Sequence, residues 1–386
     1  MLRNIAITLL TCVTSLSFTA NELQALTPTS ELELSQPRLR LAGTSVKSEV
    51  LFAGGYGGPG PWSDVVDIYD LSTGLWSTSS LSHGRAELTA TTADHFAFFA
   101  GGIDQNSLLD VVDIYNGSSK TWSTSALSQP RRDLAATSVG GRAFFGGGRA
   151  GNSQSQVSDV VDIYDVATGL WSTEALSEPR ESLAAASAGS KVLFAGGFGN
   201  STSDKVDIYD SASDSWSTAS LSEARYGLAA TSVGSQAIFA GGFNGGGSSD
   251  VVDIYDAETG EWDTAQLSSA RPFLAAATAG SLAFFAGGQL RGAGDDASVV
   301  VDIYNADNGV WTTSTLSIGR RSLAGVSTAE AVFFAGGNTE NGGFNPTNVV
   351  DVFVVPEPAS GVLALIALFA GMRRLRSPLM DFTSTR

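Results

Sequence analysis

One cysteine, two histidines and three methionines are spread through 386 residues. The cysteine, Cys12, falls in an apolar N-terminal stretch. A chain cleaved beyond it has no thiol, which excludes a disulfide framework and cysteine nucleophilic or redox chemistry. Charge is also scarce: 16% of residues are charged, and Asp and Glu outnumber Lys and Arg 39 to 22, for a formal net charge of −17. Such a surface favours solubility and repels a phosphate backbone, so no nucleic-acid partner is expected. Before residue 358 no stretch sustains a 3.6-residue apolar period, which excludes long helices there. Glycine, at 44 residues, is abundant, and its placement is regular.

An apolar run ending in a glycine pair, first seen as Leu51-Phe52-Ala53-Gly54-Gly55, returns with pairs beginning at Gly101, Gly147, Gly196, Gly241, Gly287 and Gly336, at intervals of 45 to 49 residues. A fixed period in this range marks units that cannot bury their own apolar faces and must stack. In the unit from Leu134 to Ser177, a small-residue stretch precedes Ala143-Phe144-Phe145-Gly146-Gly147-Gly148. A polar loop, Asp159-Val160-Val161-Asp162-Ile163-Tyr164-Asp165, a Thr168-Gly169 turn, Leu170-Trp171-Ser172-Thr173 and Leu176-Ser177 follow. Four short β-branched or aromatic runs separated by Gly, Asp, Ser and Thr predict a strand meander. The fold class is all-β.

Each full copy adds a tyrosine (Tyr69, Tyr115, Tyr164, Tyr209, Tyr255, Tyr304) and a tryptophan (Trp76, Trp122, Trp171, Trp216, Trp262, Trp311) at fixed offsets from Gly-Gly. This pattern resembles the kelch repeat over roughly residues 30–353. The resemblance implies four-stranded blades of a β-propeller, whose radial packing leaves only short, protected edges. The small-residue, Gly-Gly and Val-Asp strands each occur seven times but the Trp strand only six, because Val352-Phe353-Val354-Val355 runs into Pro356. The segment Ser30-Glu31-Leu32-Glu33-Leu34-Ser35 alternates with period two ahead of the first small-residue strand. Seven blades follow, the last taking three C-terminal strands and one N-terminal strand, which leaves the ring without an open edge.

Each Val-Asp strand places an aspartate (Asp67, Asp113, Asp162, Asp207, Asp253, Asp302, Asp351) two residues before Tyr or Phe, hence on the same face. A carboxylate pressed against a neighbouring blade must be paired. The cation that recurs equally opens each small-residue strand: Arg38, Arg85, Arg131, Arg180, Arg225, Arg271 and Arg320. These arginines are expected to tie to the aspartates or to blade-edge carbonyls, as scaffold and not as a site.

Residues 1–25 read as a secretory signal: Arg3, an apolar run from Ile5 to Val13, and cleavage after Ala20 or Ala25. A lipoprotein reading at Cys12 leaves too short an apolar core. The propeller is assigned to 26–355 and a tail to 356–386. There Pro356-Glu357-Pro358 precedes an apolar stretch, Ala359 to Met372, and then Arg373, Arg374 and Arg376. This order resembles the PEP-CTERM sorting tail, which implies recognition by a membrane-embedded exosortase of a Gram-negative bacterium after export. At ~1.5 Å per residue the stretch spans about 21 Å, short of the ~30 Å hydrocarbon core. That suits transient inner-membrane anchoring better than a permanent tail anchor. The arginines stay cytoplasmic, leaving the propeller outside. The extension Ser377–Arg386 departs from the family pattern.

Chemistry is sparse. His83 precedes a small-residue strand and His95 follows it, so the two belong on opposite faces and cannot share a metal. Copper-radical oxidases on a kelch-like propeller need a Cys–Tyr crosslink, for which the mature chain has no cysteine. Gly245-Gly246-Gly247 precedes a strand, not a helix, and lacks a phosphate-binding context. Asp295-Asp296 reads as a solvated acidic loop. No cofactor, no metal and no enzymatic activity are expected. What varies is the pair of residues after each arginine, together with the loops after Gly-Gly, all on one face of the ring. Variation on a rigid frame is where specificity resides. The candidate binding residues there are Arg132, Arg321, Tyr226, Phe273 and Trp62. The expected function is a monomeric, exported surface or extracellular-matrix propeller binding a polysaccharide or envelope protein. The alternatives are a carbohydrate-active enzyme or an inert matrix component.

Overall fold

The computed structural model describes residues 26–355 apart from 58–59, 152, 154–155, 291–296 and 340–342. The signal segment with Cys12, the tail with Pro356, Glu357, Pro358, Arg373, Arg374 and Arg376, and Asp295-Asp296 lie outside the described residues. Seven four-stranded antiparallel sheets form a ring, a β-propeller, and no helix occurs among the described residues. Blade 1 runs outward as Ala42–Val46, Glu49–Ala53, Val65–Asp70 and Leu75–Ser80. Blades 2 to 6 repeat this order.

Blade 7 takes Ala324–Ser327, Ala331–Ala335 and Val349–Val354 from the C-terminal end, and its outermost strand is Thr29–Glu33. Register pairs Leu32 with Val350 and Glu33 with Val349. The N-terminal strand thus closes the ring as the sequence implies, since the last repeat runs out of chain before a fourth strand.

Composition explains each layer. Second strands such as Leu282–Ala286 are buried throughout because both faces meet a neighbouring blade. Innermost strands carry mostly Ala, Ser, Thr and Gly, small enough for the narrowing axis, with a valine in four of them. They line a channel of about 590 Å³ walled by Thr137, Ala186, Thr231, Ser232 and Thr278 among others. Hydroxyls bond laterally across it, as in Thr44 to Thr92 at 2.8 Å and Thr231 to Thr278 at 2.8 Å. The buried apolar residues fall into clusters that bridge adjacent blades. One joins Phe333 and Val352 of blade 7 to Phe52 and Tyr69 of blade 1. Tyrosines face the preceding blade (Tyr69 on Phe333, 5.8 Å; Tyr209 on Phe144, 5.2 Å). Each tryptophan instead leans on the tyrosine of its own blade, as Trp76 does on Tyr69 at 5.0 Å. Its indole N–H does not always find a partner: those of Trp76 and Trp216 have none, while that of Trp171 donates to Ser125 at 2.8 Å.

The arginines form the hubs of this frame. All seven are fully buried, and each guanidinium meets the aspartate of its own blade, as Arg131 does Asp162 and Arg85 does Asp113 (2.8 Å). Arg131 also donates to the carbonyls of Gly147 (2.7 Å) and Val160 (2.6 Å). The other oxygen of each aspartate accepts a backbone N–H from the connection leaving the previous blade: Ser82 to Asp113 at 3.0 Å, and across the closure Ser35 to Asp67 at 3.0 Å. Glycine pairs complete the joint. The Gly55 N–H donates to the carbonyl of Arg85 (2.8 Å), and the last pair returns to the first blade, Gly337 to Arg38 at 2.9 Å. At Gly101, with φ of +65°, an added Cβ would fall 2.4 Å from the carbonyl oxygen of Arg131. Only glycine fits there.

Candidate functional site

Strand pairing brings the connections before each innermost strand and the loops after each glycine pair to one face. The hairpin turns, which hold His95, occupy the other. His83 is exposed on the first face and His95 stacks on Phe96 on the second. Among the described residues no group of three or more His, Cys, Asp or Glu could hold a metal.

The mouth of the channel on the loop face is built by the two variable residues after each scaffold arginine. The first of each pair joins its own blade's post-glycine loop through backbone bridges, as Leu39 does Tyr56, Arg132 does Arg149, Tyr226 does Phe243 and Arg321 does Asn338. The second forms a ring. Glu87 N–H donates to the carbonyl of Arg40, Asp133 to Glu87, Ser182 to Asp133, Gly227 to Ser182, Phe273 to Gly227, Ser322 to Phe273, and Arg40 back to Ser322, all at 2.9–3.1 Å. Every member has φ between 51° and 62°. Only Gly227 adopts this conformation freely, and the other six each sustain roughly 1–2 kcal/mol of steric cost. Strain of this kind clusters where side-chain identity serves a purpose.

Side chains on this collar divide it into two sectors. On blades 1 to 4 Glu87 is buried between two arginines, Arg40 from blade 1 and Arg132 from blade 3. Arg149 grips Glu181 of blade 4 with two nitrogens. Asp133 stands in this group, 3.9 Å from the Arg132 Nε. Burial pushes the Asp133 carboxyl up, while Arg132 and Arg40 pull the other way. A third of its side chain remains accessible. Among the described residues Arg321, on blade 7, has no carboxylate partner, and its Nε is buried without a hydrogen bond.

On blades 4 to 6 the mouth is aromatic. Phe198 meets Tyr226 at 5.3 Å, Tyr226 meets Phe243 at 5.4 Å, and Phe243 meets Phe273 at 5.5 Å, forming one half-exposed row. A second group spans the seam of blades 7 and 1. Tyr56 contacts Trp62 at 5.2 Å and Phe344 at 5.0 Å, both edge-on, and Phe344 is 56% exposed. Tyr56–Gly57 and Gly60–Trp62 pair as a small hairpin that holds this group.

The five candidate residues thus share a face but not a cluster. Tyr226 and Phe273 are joined through Phe243, and Arg321 lies one blade beyond Phe273. Trp62 belongs to the seam group, while Arg132 is engaged by Glu87. Sequence reasoning missed Phe198, Phe243, Arg149, Glu181 and the ring itself. Residues following Gly-Gly were legible as loop positions. Their pairing with the residue after the arginine required the register of the blade, and left-handed backbone at Glu87 or Phe273 has no signature in residue type.

Compared with protein-family models, residues 224–266 match the Kelch motif, a span that contains Arg225, Tyr226, Phe243 and Trp262. Compared by sequence with curated proteins, the chain matches none. Among solved structures, that titled "Structure of YjhT" aligns with a TM-score of 0.56 at 19% identity, covering 74% of this chain and 99% of that one. At this identity the likeness shows the fold alone.

Proposed function

We propose that this chain is a non-catalytic binding propeller, exported, sorted by an exosortase and displayed at the surface or in the extracellular matrix of a Gram-negative bacterium. Its loop face takes a polysaccharide or an envelope protein. One observation carries the binding role: the positions free to vary gather at the channel mouth, where they present an aromatic row beside an arginine-rich sector on a rigid collar. Half-buried aromatics with room above them are suited to stacking on a sugar face or gripping an apolar side chain. The export half rests on the sequence of the two ends, the signal-like segment and the Pro356-Glu357-Pro358 tail with its arginines. The test is binding of the purified protein to a panel of glycans and envelope proteins, with fractionation of cells that have or lack an exosortase. Binding together with exosortase-dependent release is the expected outcome. Absence of binding across the panel favours an inert matrix protein.

A second reading, a carbohydrate-active enzyme, is favoured by Asp133, a carboxyl pushed upward beside arginines at the mouth. Such a group is a candidate general acid. Glu87 and Glu181, the carboxylates that could assist it, are both occupied by arginines. Turnover of a bound glycan that Asp133→Asn abolishes would establish the enzyme. Binding without turnover supports the binding role.

A further inference from the structure

We infer that the mouth recognises a carboxylate-bearing polysaccharide, with Arg321 and Arg40 as the anchors for its carboxylates; the inference rests on the loop face being the binding face. The distribution of arginine points first. Outside the seven scaffold hubs the described arginines are Arg40, Arg132, Arg142, Arg149 and Arg321, and all but Arg142 stand at the mouth. In a chain of net charge −17, this places four of the five described arginines outside the hubs on one small patch. Among the described residues, four guanidinia there face three carboxylates, Glu87, Asp133 and Glu181.

The pairing within the patch is uneven. Glu87 and Glu181 satisfy Arg132 and Arg149. Arg40 shares Glu87 and leaves 53% of its side chain exposed. Among the described residues Arg321 has no carboxylate partner, and its Nε is enclosed without an acceptor. The two stand on the adjoining blades 1 and 7 at the seam that closes the ring, where the Arg40 N–H donates to the carbonyl of Ser322 at 3.0 Å. Burial holds the Arg40 guanidinium below its ordinary value against an upward pull from Asp133, and the repulsion of Arg132 and Arg321 adds to the lowering. An anion seated between Arg40 and Arg321 would relieve that repulsion and supply the missing acceptor.

What flanks this fork favours sugars. On one side, the carbonyl of Phe273 is bonded to the N–H of Ser322 at 3.0 Å, so an aromatic platform adjoins Arg321. On the other, Tyr56, Trp62 and Phe344 form a group at the same seam. Rings to either side of a guanidinium pair match a polymer in which every unit offers a flat C–H face and a carboxylate. An acidic peptide carries the charge without the ring.

The test measures binding of the full chain to polygalacturonate, to its fully methyl-esterified form and to polyglutamate. The expected result is binding of polygalacturonate, weakened about tenfold or more, the scale of one lost charge-assisted contact, by esterification or by Arg321→Gln. Arg321→Gln should melt within about 2 °C of the parent, since it removes no folding contact. Tyr226→Ala and Phe273→Ala should also weaken binding. Failure of the parent to bind polygalacturonate, equal binding by Arg321→Gln or by the ester, or tighter binding of polyglutamate overturns the inference. If the aromatic variants lose glycan binding while Arg321→Gln keeps it, the loop face stands and the carboxylate assignment falls. If none of the variants changes binding, both fall.

Discussion

Arg320 and Arg321 are adjacent in the chain and opposite in role. Arg320 is fully buried, donates to the carbonyls of Gly336 and Phe334 and meets Asp351. Among the described residues Arg321 donates only its backbone N–H, to the carbonyl of Asn338 at 3.1 Å. The difference lies in what surrounds each side chain, which residue type cannot reveal. Removing one partner of a buried, hydrogen-bonded pair leaves a charge that nothing offsets. Asp162→Asn is therefore expected to destabilise the protein by about 3–5 kcal/mol, read by urea unfolding. A loss under about 1 kcal/mol would show that the carbonyls of Gly147 and Val160 suffice for Arg131. Solvated carboxylates behave differently. Asp210 is held down to about 2 by the Lys191 ammonium, the Ala212 N–H and the Ser190 hydroxyl. Its folded value is depressed, so its contribution to stability is complete above the ordinary value of 3.8 and is lost as pH falls through about 2. An NMR titration of Asp210 should give a midpoint near that value, and Lys191→Ala should move it upward; an unmoved midpoint contradicts the assignment.

Among elements, the strand Thr29–Glu33 decides whether the ring is closed. It supplies the outer edge of blade 7, and the residues after it continue the closure: Leu34 N–H donates to the carbonyl of Asn348 at 2.8 Å and Ser35 to Asp67 at 3.0 Å. Deleting residues 26–36 removes those bonds along with the buried Leu34. The melting temperature should fall by several degrees. An unchanged melt would mean that the seam is held by the glycine pair and Arg38 without this strand. This joint was legible in the sequence because one repeat lacks a tryptophan strand and Ser30 to Ser35 alternates at the opposite end. The Arg–Asp recurrence was legible for the same reason, seven equal counts. The collar was not. Arg40, Glu87, Asp133, Ser182, Gly227, Phe273 and Ser322 share no chemistry, and what unites them is backbone conformation imposed by the seven-fold geometry. The pairing of Phe243 with Tyr226 was equally hidden, since it joins loops 17 residues apart that only the blade register brings together.

At the scale of the molecule, the repeat yields a disc whose interior is nearly uniform and whose two faces differ. Hairpin turns on one face are short and carry Asp-led turns such as Asp70 with Ser72 and Asp165 with Thr168. The other face carries the long loops, the collar and the aromatic row. The most direct measurement compares ligand binding by three proteins: the parent, the Tyr226→Ala/Phe273→Ala variant of the loop face, and a Lys47→Ala/Asp214→Ala variant of the hairpin face, all with matched melting temperatures. Binding lost in the loop-face variant and kept in the hairpin-face variant is the predicted result. Binding kept in the first and lost in the second would contradict the account.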